Sequence, residues 1–202
     1  MQSNKPWDAR LAFWFIYPLR DSRLTPNHIT SLRLLSGVWA GLSFALGDNF
    51  WSNVGAFSFV LSNFLDHADG EFARLTGKGS RTGHYFDLLC DAIVNILLFI
   101  GIGIGLAQSS LGSYALPMGC IVGLSVAATF HMRLQIEEGL GKVQCRQPNL
   151  GCMEAEDVLY LLPLITLTQL LVPFFVLASI GAPLFMLWVL KDYLVFKNKP
   201  SV

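Results

Sequence analysis

Charge is scarce in this chain. Lysine, arginine, aspartate and glutamate make up only 14% of its 202 residues, against about 25% in a soluble domain. The shortfall implies that much of the chain lies in lipid. Neither sign is in excess, with 14 basic and 14 acidic residues, so net charge says little about partners; no nucleic-acid partner is expected. Cysteine is also sparse. The four cysteines form no metal or redox spacing. Cys90 and Cys120 fall in apolar segments, Cys145 and Cys152 share a loop, and all read as free thiols in a reducing compartment. No small-residue cleavage site follows the apolar part of the N-terminal segment, so that segment is not read as a cleavable signal. Repeats, low-complexity tracts and interdomain linkers are lacking too. One domain over residues 1–202 is expected.

Long apolar runs dominate what is present, with 53% of residues hydrophobic. A spanning helix needs about 20 mostly apolar residues. That criterion predicts helices near 29–47, 51–75, 83–106, 112–134, 155–173 and 175–196, the last two joined by a tight turn near Pro173. The run from Leu11 to Leu19 is too short to span and is flanked by charge. With Trp7, Trp14 and Tyr17 suited to the headgroup layer, it reads as part of an interfacial amphipathic helix over 7–22. The expected fold is an all-α integral membrane protein, with six transmembrane helices over 25–198 preceded by that interfacial helix. With this layout the Lys and Arg residues fall at the two ends and in the 2–3 and 4–5 connections. By the positive-inside rule both termini and the 2–3 junction face the cytoplasm.

Four aspartates crowd that junction: Asp66, Asp69, Asp87 and Asp91, in the run DHADGEFARLTGKGSRTGHYFDLLCDA. Ionisable groups at the mouth of a membrane helix are costly and mark functional sites. Crowded carboxylates repel one another unless cations hold them, and oxygen-only ligands favour hard divalent ions such as Mg²⁺ or Mn²⁺. Helical phasing sharpens the reading. Asp66, Asp69, Gly70, Ala73 and Arg74 share one stripe, and Gly83, Asp87 and Asp91 share another on the next helix. Facing stripes would converge four carboxylates on one or two ions, with Arg74 suited to phosphate oxygens through its bidentate fork. A pair of ions clamps the attacking and leaving oxygens of a phosphoryl displacement.

The spacing D-x2-D-G-x2-A-R-x8-G-x3-D-x3-D, carried by Asp66, Asp69, Gly70, Ala73, Arg74, Gly83, Asp87 and Asp91, resembles the signature of the CDP-alcohol phosphotransferases. The segment Thr25-Pro26-Asn27-His28-Ile29-Thr30-Ser31-Leu32-Arg33 is similar to that family's entry to its first helix. The resemblance implies metal-dependent transfer of a phosphoalcohol from a CDP-linked alcohol to another hydroxyl, with release of CMP. It implies that Asp66, Asp69 and Asp87 hold two Mg²⁺ or Mn²⁺ ions. Asp91 would complete that metal set and act as general base. Gly70, Ala73, Arg74 and Gly83 would cradle the cytidine diphosphate beside Asp69, with Asn27 and Thr30 closing over it. Arg33 is read as either a phosphate contact or a positive-inside anchor. CDP-diacylglycerol is the expected donor and a small polar alcohol the acceptor, in a bacterial or archaeal plasma membrane. A CDP-linked polar alcohol giving its headgroup to a lipid or a polyol phosphate is the alternative.

Other residues carry weaker signals. Arg133, Lys142, Arg146 and Lys191 are candidate acceptor contacts if the acceptor bears phosphate, and topology-setting charges otherwise. Glu154, Glu156 and Asp157 would favour a cationic acceptor, or simply stabilise a helix start. His67 and His84 are read as bystanders. Glu71 is expected to turn away from Gly70 toward a neighbouring helix or water. Asn95 is expected to pack, or to bond a neighbouring helix. Gly101, Gly103 and Gly105 suit close helix packing and a homodimer face. Membrane prenyltransferases also use acidic helices and Mg²⁺, but they lack the D-G-x2-A-R stripe. A divalent-cation transporter would place its acidic residues nearer the bilayer midplane.

Overall fold

The computed structural model describes residues 7–140 and 155–197, and all regular structure among them is helical. The main helices are α1 (Trp7–Ile16), α2 (Pro26–Ala45), α3 (Asn49–Thr76), α4 (Arg81–Gly105), α5 (Ala115–Leu140), α6 (Leu162–Leu167) and α7 (Leu171–Lys197). Among the described residues, three stretches are both long and apolar enough to cross a membrane: Arg81–Gln108, Gly112–Ile136 and Leu171–Lys197. α2 and α3, expected as spans, have 20 and 28 residues and carry more polar side chains.

The helix boundaries have local causes. Thr25 caps α2 together with His28, whose Nδ1 accepts from the Thr25 backbone N–H at 3.1 Å, and Pro26 supplies a preset first turn. The Asp48 side chain accepts from Trp51 N–H at 2.8 Å and starts α3. Gly77, at φ 65°, ends α3 in the left-handed region. Ser80 then accepts from Gly83 N–H at 3.0 Å and starts α4. So Gly77 to Ser80 alone reverse the chain between the two aspartate-bearing helices.

The expected fifth helix over 155–173 is not one helix. A 3₁₀ stretch, Ala155–Leu161, runs into the six-residue α6. At about 2.0 Å and 1.5 Å per residue respectively, the pair rises roughly 23 Å, short of the ~30 Å hydrocarbon core. α6 ends in a Schellman turn, with Leu170 N–H donating to Ile165 O at 2.9 Å and Gln169 N–H to Thr166 O at 3.1 Å. Gln169 takes the left-handed position, φ 58°, that glycine usually fills. The turn therefore falls at Thr168–Leu170, and Pro173 lies inside the first turn of α7.

Packing centres on α2, which contacts both α3 and α4; α4 packs on α5, and α5 on α7. The larger core joins Phe44, Phe59, Leu98, Phe99, Ile102 and Phe175 across these helices. A smaller core of Ala12, Ile16, Ile29, Leu65, Ala68 and Phe72 ties α1 to the helices below it. Close approach needs glycine at a few crossings. A Cβ on Gly41 would lie 2.8 Å from the Leu97 carbonyl oxygen, and one on Gly101 would collide with the Gly41 carbonyl. Gly103 abuts Ala115, and Gly105 abuts Phe44. The glycine stripe suggested as a dimer face is thus consumed by packing within the chain.

Candidate active site

The two short caps and the Gly77 reversal bring the aspartate stripes of α3 and α4 to the same end of the bundle as the start of α2. Carboxylate oxygens of Asp66, Asp69 and Asp87 all lie within 4.8 Å of one another. Asp66 and Asp87 are part-exposed, whereas Asp69 is buried. Three oxygen donors from two helices form the kind of set that a hard divalent cation takes, so these residues fit the predicted metal. Asp91 lies one turn deeper on α4 and is not in the mutually close trio.

An unexpected cation sits among them. The Arg33 side chain is 3% exposed, and its Nη1 lies 2.6 Å from Asp66 Oδ1 and 2.7 Å from Asp87 Oδ1. Its Nη2 donates to Asp91 Oδ1 in a short contact. Arg33 is therefore neither a free phosphate contact nor a surface anchor in this structure. α2 carries it there because α2 packs between partners α3 and α4, and Ser62 Oγ donates to the Arg33 carbonyl at 3.0 Å. Thr30, one turn earlier, donates its hydroxyl to Asp69 Oδ2 at 2.6 Å. The entry segment that looked like a nucleotide cover thus also touches all four aspartates.

The remaining predicted contacts divide. Gly70 leaves a bare helix surface: the nearest atom to an added Cβ is Arg74 Nη2 at 3.6 Å. Ala73 is half-buried on the same stripe. Arg74 is exposed and donates to Glu71 Oε1 at 2.8 Å. Glu71 is itself buried, so it does not face water, and it steadies Arg74 on its own helix. Gly83 lies against Asn27, whose Oδ1 would be 2.7 Å from an added Cβ. Asn27 is exposed, so the starts of α2 and α4 form one rim beside the aspartates. Lys78 strengthens that rim by donating to the carbonyls of Ser22 and Leu24, both at 3.1 Å. No sequence signal singled out Lys78.

His67 Nδ1 lies 3.0 Å from the Asn63 carbonyl of its own helix. His84 is exposed beside Tyr85. Asn95 is buried, but it bonds the Asp91 carbonyl of its own helix at 3.0 Å and not a neighbouring one. Among the acceptor candidates, Arg133 stacks over Phe185 at 5.0 Å, joining α5 to α7. Lys191 is exposed on α7. Neither makes a described contact with the aspartates. Lys142 and Arg146 lie outside the described residues, as do Cys145, Cys152 and Glu154.

Comparison with known proteins bears on this arrangement. The family model for CDP-alcohol phosphatidyltransferase matches residues 23–195. An archaetidylinositol phosphate synthase from Pyrococcus horikoshii is 30% identical over 82 residues, covering 41% of this chain and 42% of that protein. The match thus spans less than half the length of that curated relative. The crystal structure of Mycobacterium tuberculosis phosphatidylinositol phosphate synthase (PgsA1) with CDP-DAG bound superposes with a TM-score of 0.61. It covers 96% of each chain at 20% identity, a likeness of fold.

Proposed function

Because the chain belongs to the CDP-alcohol phosphatidyltransferase family, we propose that it transfers the phosphatidyl group of CDP-diacylglycerol to the hydroxyl of a polar alcohol, releasing CMP. The observation that carries this reading is the convergence of Asp66, Asp69 and Asp87 beside Asp91. Asp66, Asp69 and Asp87 hold Mg²⁺ or Mn²⁺, two ions in all. When bound, the ions neutralise charge on the diphosphate. Gly70 and Ala73 give the nucleotide a bare helix surface, Arg74 offers a guanidinium to phosphate, and Gly83 with Asn27 forms the rim. The acceptor oxygen bonds to the phosphorus that carries diacylglycerol. The bond from that phosphorus to the bridging oxygen breaks, and CMP leaves with the electron pair. Asp91 takes the acceptor proton, as a carboxylate within reach of the hydroxyl can. Both relatives are named for products bearing inositol phosphate, so a phosphorylated inositol is the acceptor we favour.

The same reading sets the protein in a bilayer. α2, α3, α4, α5 and α7 cross it, and the segment Ala155–Leu167, shorter than the hydrocarbon core, makes the sixth crossing with local thinning of the bilayer, with a single domain throughout. An even number is required if the basic ends and the aspartate junction share the cytoplasmic side. α1 lies in the interface. Its Ala12 and Ile16 are buried against the bundle, while Leu11, Trp14 and Phe15 are exposed.

CMP release by purified protein with CDP-diacylglycerol and Mg²⁺ or Mn²⁺ tests the proposal. The acceptor panel is inositol phosphate, glycerol 3-phosphate, inositol, serine, ethanolamine and choline. The expected result is release that depends on inositol phosphate and is abolished in Asp91→Asn, which still binds CDP-lipid. Absence of CMP release with every acceptor in the panel, from protein that still binds CMP and metal, refutes the donor assignment, and normal turnover in Asp91→Asn refutes the base assignment.

A further inference from the structure

The charge arithmetic of the site is incomplete without Arg33. Three of its carboxylates, Asp66, Asp87 and Asp91, share one guanidinium that is almost wholly buried. A buried charge is tolerated only when paired and hydrogen-bonded, and removing one partner leaves the other uncompensated. The guanidinium is not in an ideal seat of its own. Its Nε is buried with no hydrogen-bond partner, so the three carboxylates hold it there. Nη1 bridges Asp66 Oδ1 and Asp87 Oδ1, and both residues belong to the trio suited to a divalent ion. Asp69, the third member, makes no ion pair with Arg33 and is held by Thr30.

From this geometry we infer that Arg33 is an internal counter-cation of the acidic centre. It neutralises and gathers Asp66, Asp87 and Asp91 when no divalent ion is bound, and it competes with the ion that they bind. Two consequences follow from charge alone. The centre stays folded without metal because α2 supplies a fixed positive charge between α3 and α4. Metal affinity is set lower than three bare carboxylates would give, since like charges at such short range repel strongly. A centre tuned in this way discriminates between an ion alone and an ion carrying a diphosphate, whose negative charge offsets the guanidinium. Arg33 acts here as a positioning residue, through the aspartates. The inference rests on the metal reading given above.

The test compares wild type, Arg33→Gln and Arg33→Lys, purified in saturating Mn²⁺ and then stripped with chelator. Thermal midpoints are measured with and without Mn²⁺, and free Mn²⁺ is followed by electron paramagnetic resonance. In chelator, Arg33→Gln should melt well below wild type, and Mn²⁺ should raise its midpoint by more. Its half-saturating Mn²⁺ should fall by about tenfold or more, while Arg33→Lys, which keeps the charge, stays near wild type. Equal midpoints in chelator with unchanged Mn²⁺ binding would overturn the inference. If Arg33→Gln does not fold even in Mn²⁺, the double variant Arg33→Gln/Asp91→Asn, with one orphaned charge fewer, should recover; failure to recover also overturns it. Wild type that binds no Mn²⁺ would instead refute the metal reading and the competition with it.

Discussion

Replacing Thr30 by valine isolates one hydrogen bond in the acidic centre. Thr30 and Asp69 are 2% and 5% exposed, and the hydroxyl donates to Asp69 Oδ2 at 2.6 Å. Valine keeps the branched shape and a similar helix propensity, so neither a cavity nor a helix penalty confuses the result. What is lost is a bond to a charged acceptor, worth about 1.5–3 kcal/mol. The second contact, to the Pro26 carbonyl at 3.2 Å, is longer and shares the same proton. For a chain of this size each kcal/mol moves the melting midpoint by about 2–4 °C, so Thr30→Val should melt roughly 3–12 °C lower in chelator. Asp69 also loses the group that aims it, so the Mn²⁺ concentration for half-maximal CMP release should rise. Thr30→Ser, which keeps the hydroxyl, should lie close to wild type in both. Thermal denaturation in detergent and a Mn²⁺ titration of CMP release read the two effects. If Thr30→Val matches wild type in both, or Thr30→Ser fails equally, the methyl group and not the hydrogen bond is what matters.

Two glycine substitutions separate folding from binding. Gly101→Ala places a Cβ against the Gly41 carbonyl, backbone to backbone, so α2 and α4 must part. A loss of about 1–3 kcal/mol is expected, seen as a lower melting midpoint, with Gly181→Ala, which meets nothing within 4 Å, as a neutral or slightly stabilising control. Gly83→Ala meets only the ends of the Asn27 and Ser80 side chains, at 2.7 and 3.0 Å. Because Asn27 is exposed and Ser80, the cap of α4, need give by only a few tenths of an ångström, the midpoint should fall by less than in Gly101→Ala while the KM for CDP-diacylglycerol rises several-fold. A lowered midpoint with unchanged KM would refute the rim assignment.

Much of the site was legible in the sequence because helical phasing is a local property. Asp66 and Asp69 on one helix and Asp87 and Asp91 on the next had to face the junction, whatever the packing beyond it. The short Gly77–Ser80 reversal then left little freedom in how the stripes meet. The fifth helix was less legible. Its interruption rests on a Schellman turn with glutamine at the left-handed position, and nothing in residue type marks Gln169 for that role. Proline gave a stronger but misleading signal, since a proline in a helix's first turn is compatible with the helix continuing.

The sequence by itself determined an all-helical, lipid-suited chain and the carboxylates that converge at one end of it. Both follow from composition and periodicity, which act over a few turns of a single helix. Only the tertiary structure decided what meets those carboxylates. Arg33 is 33 positions from Asp66 and 58 from Asp91 in the chain, and Thr30 is 39 from Asp69. Their encounters depend on α2 packing against both α3 and α4, which glycines such as Gly41 and Gly101 permit by letting backbones touch. A lone arginine in an apolar helix looks alike whether it anchors at a surface or neutralises a buried centre. The two differ only in which helices surround it, and that is fixed by how the whole bundle fills its interior.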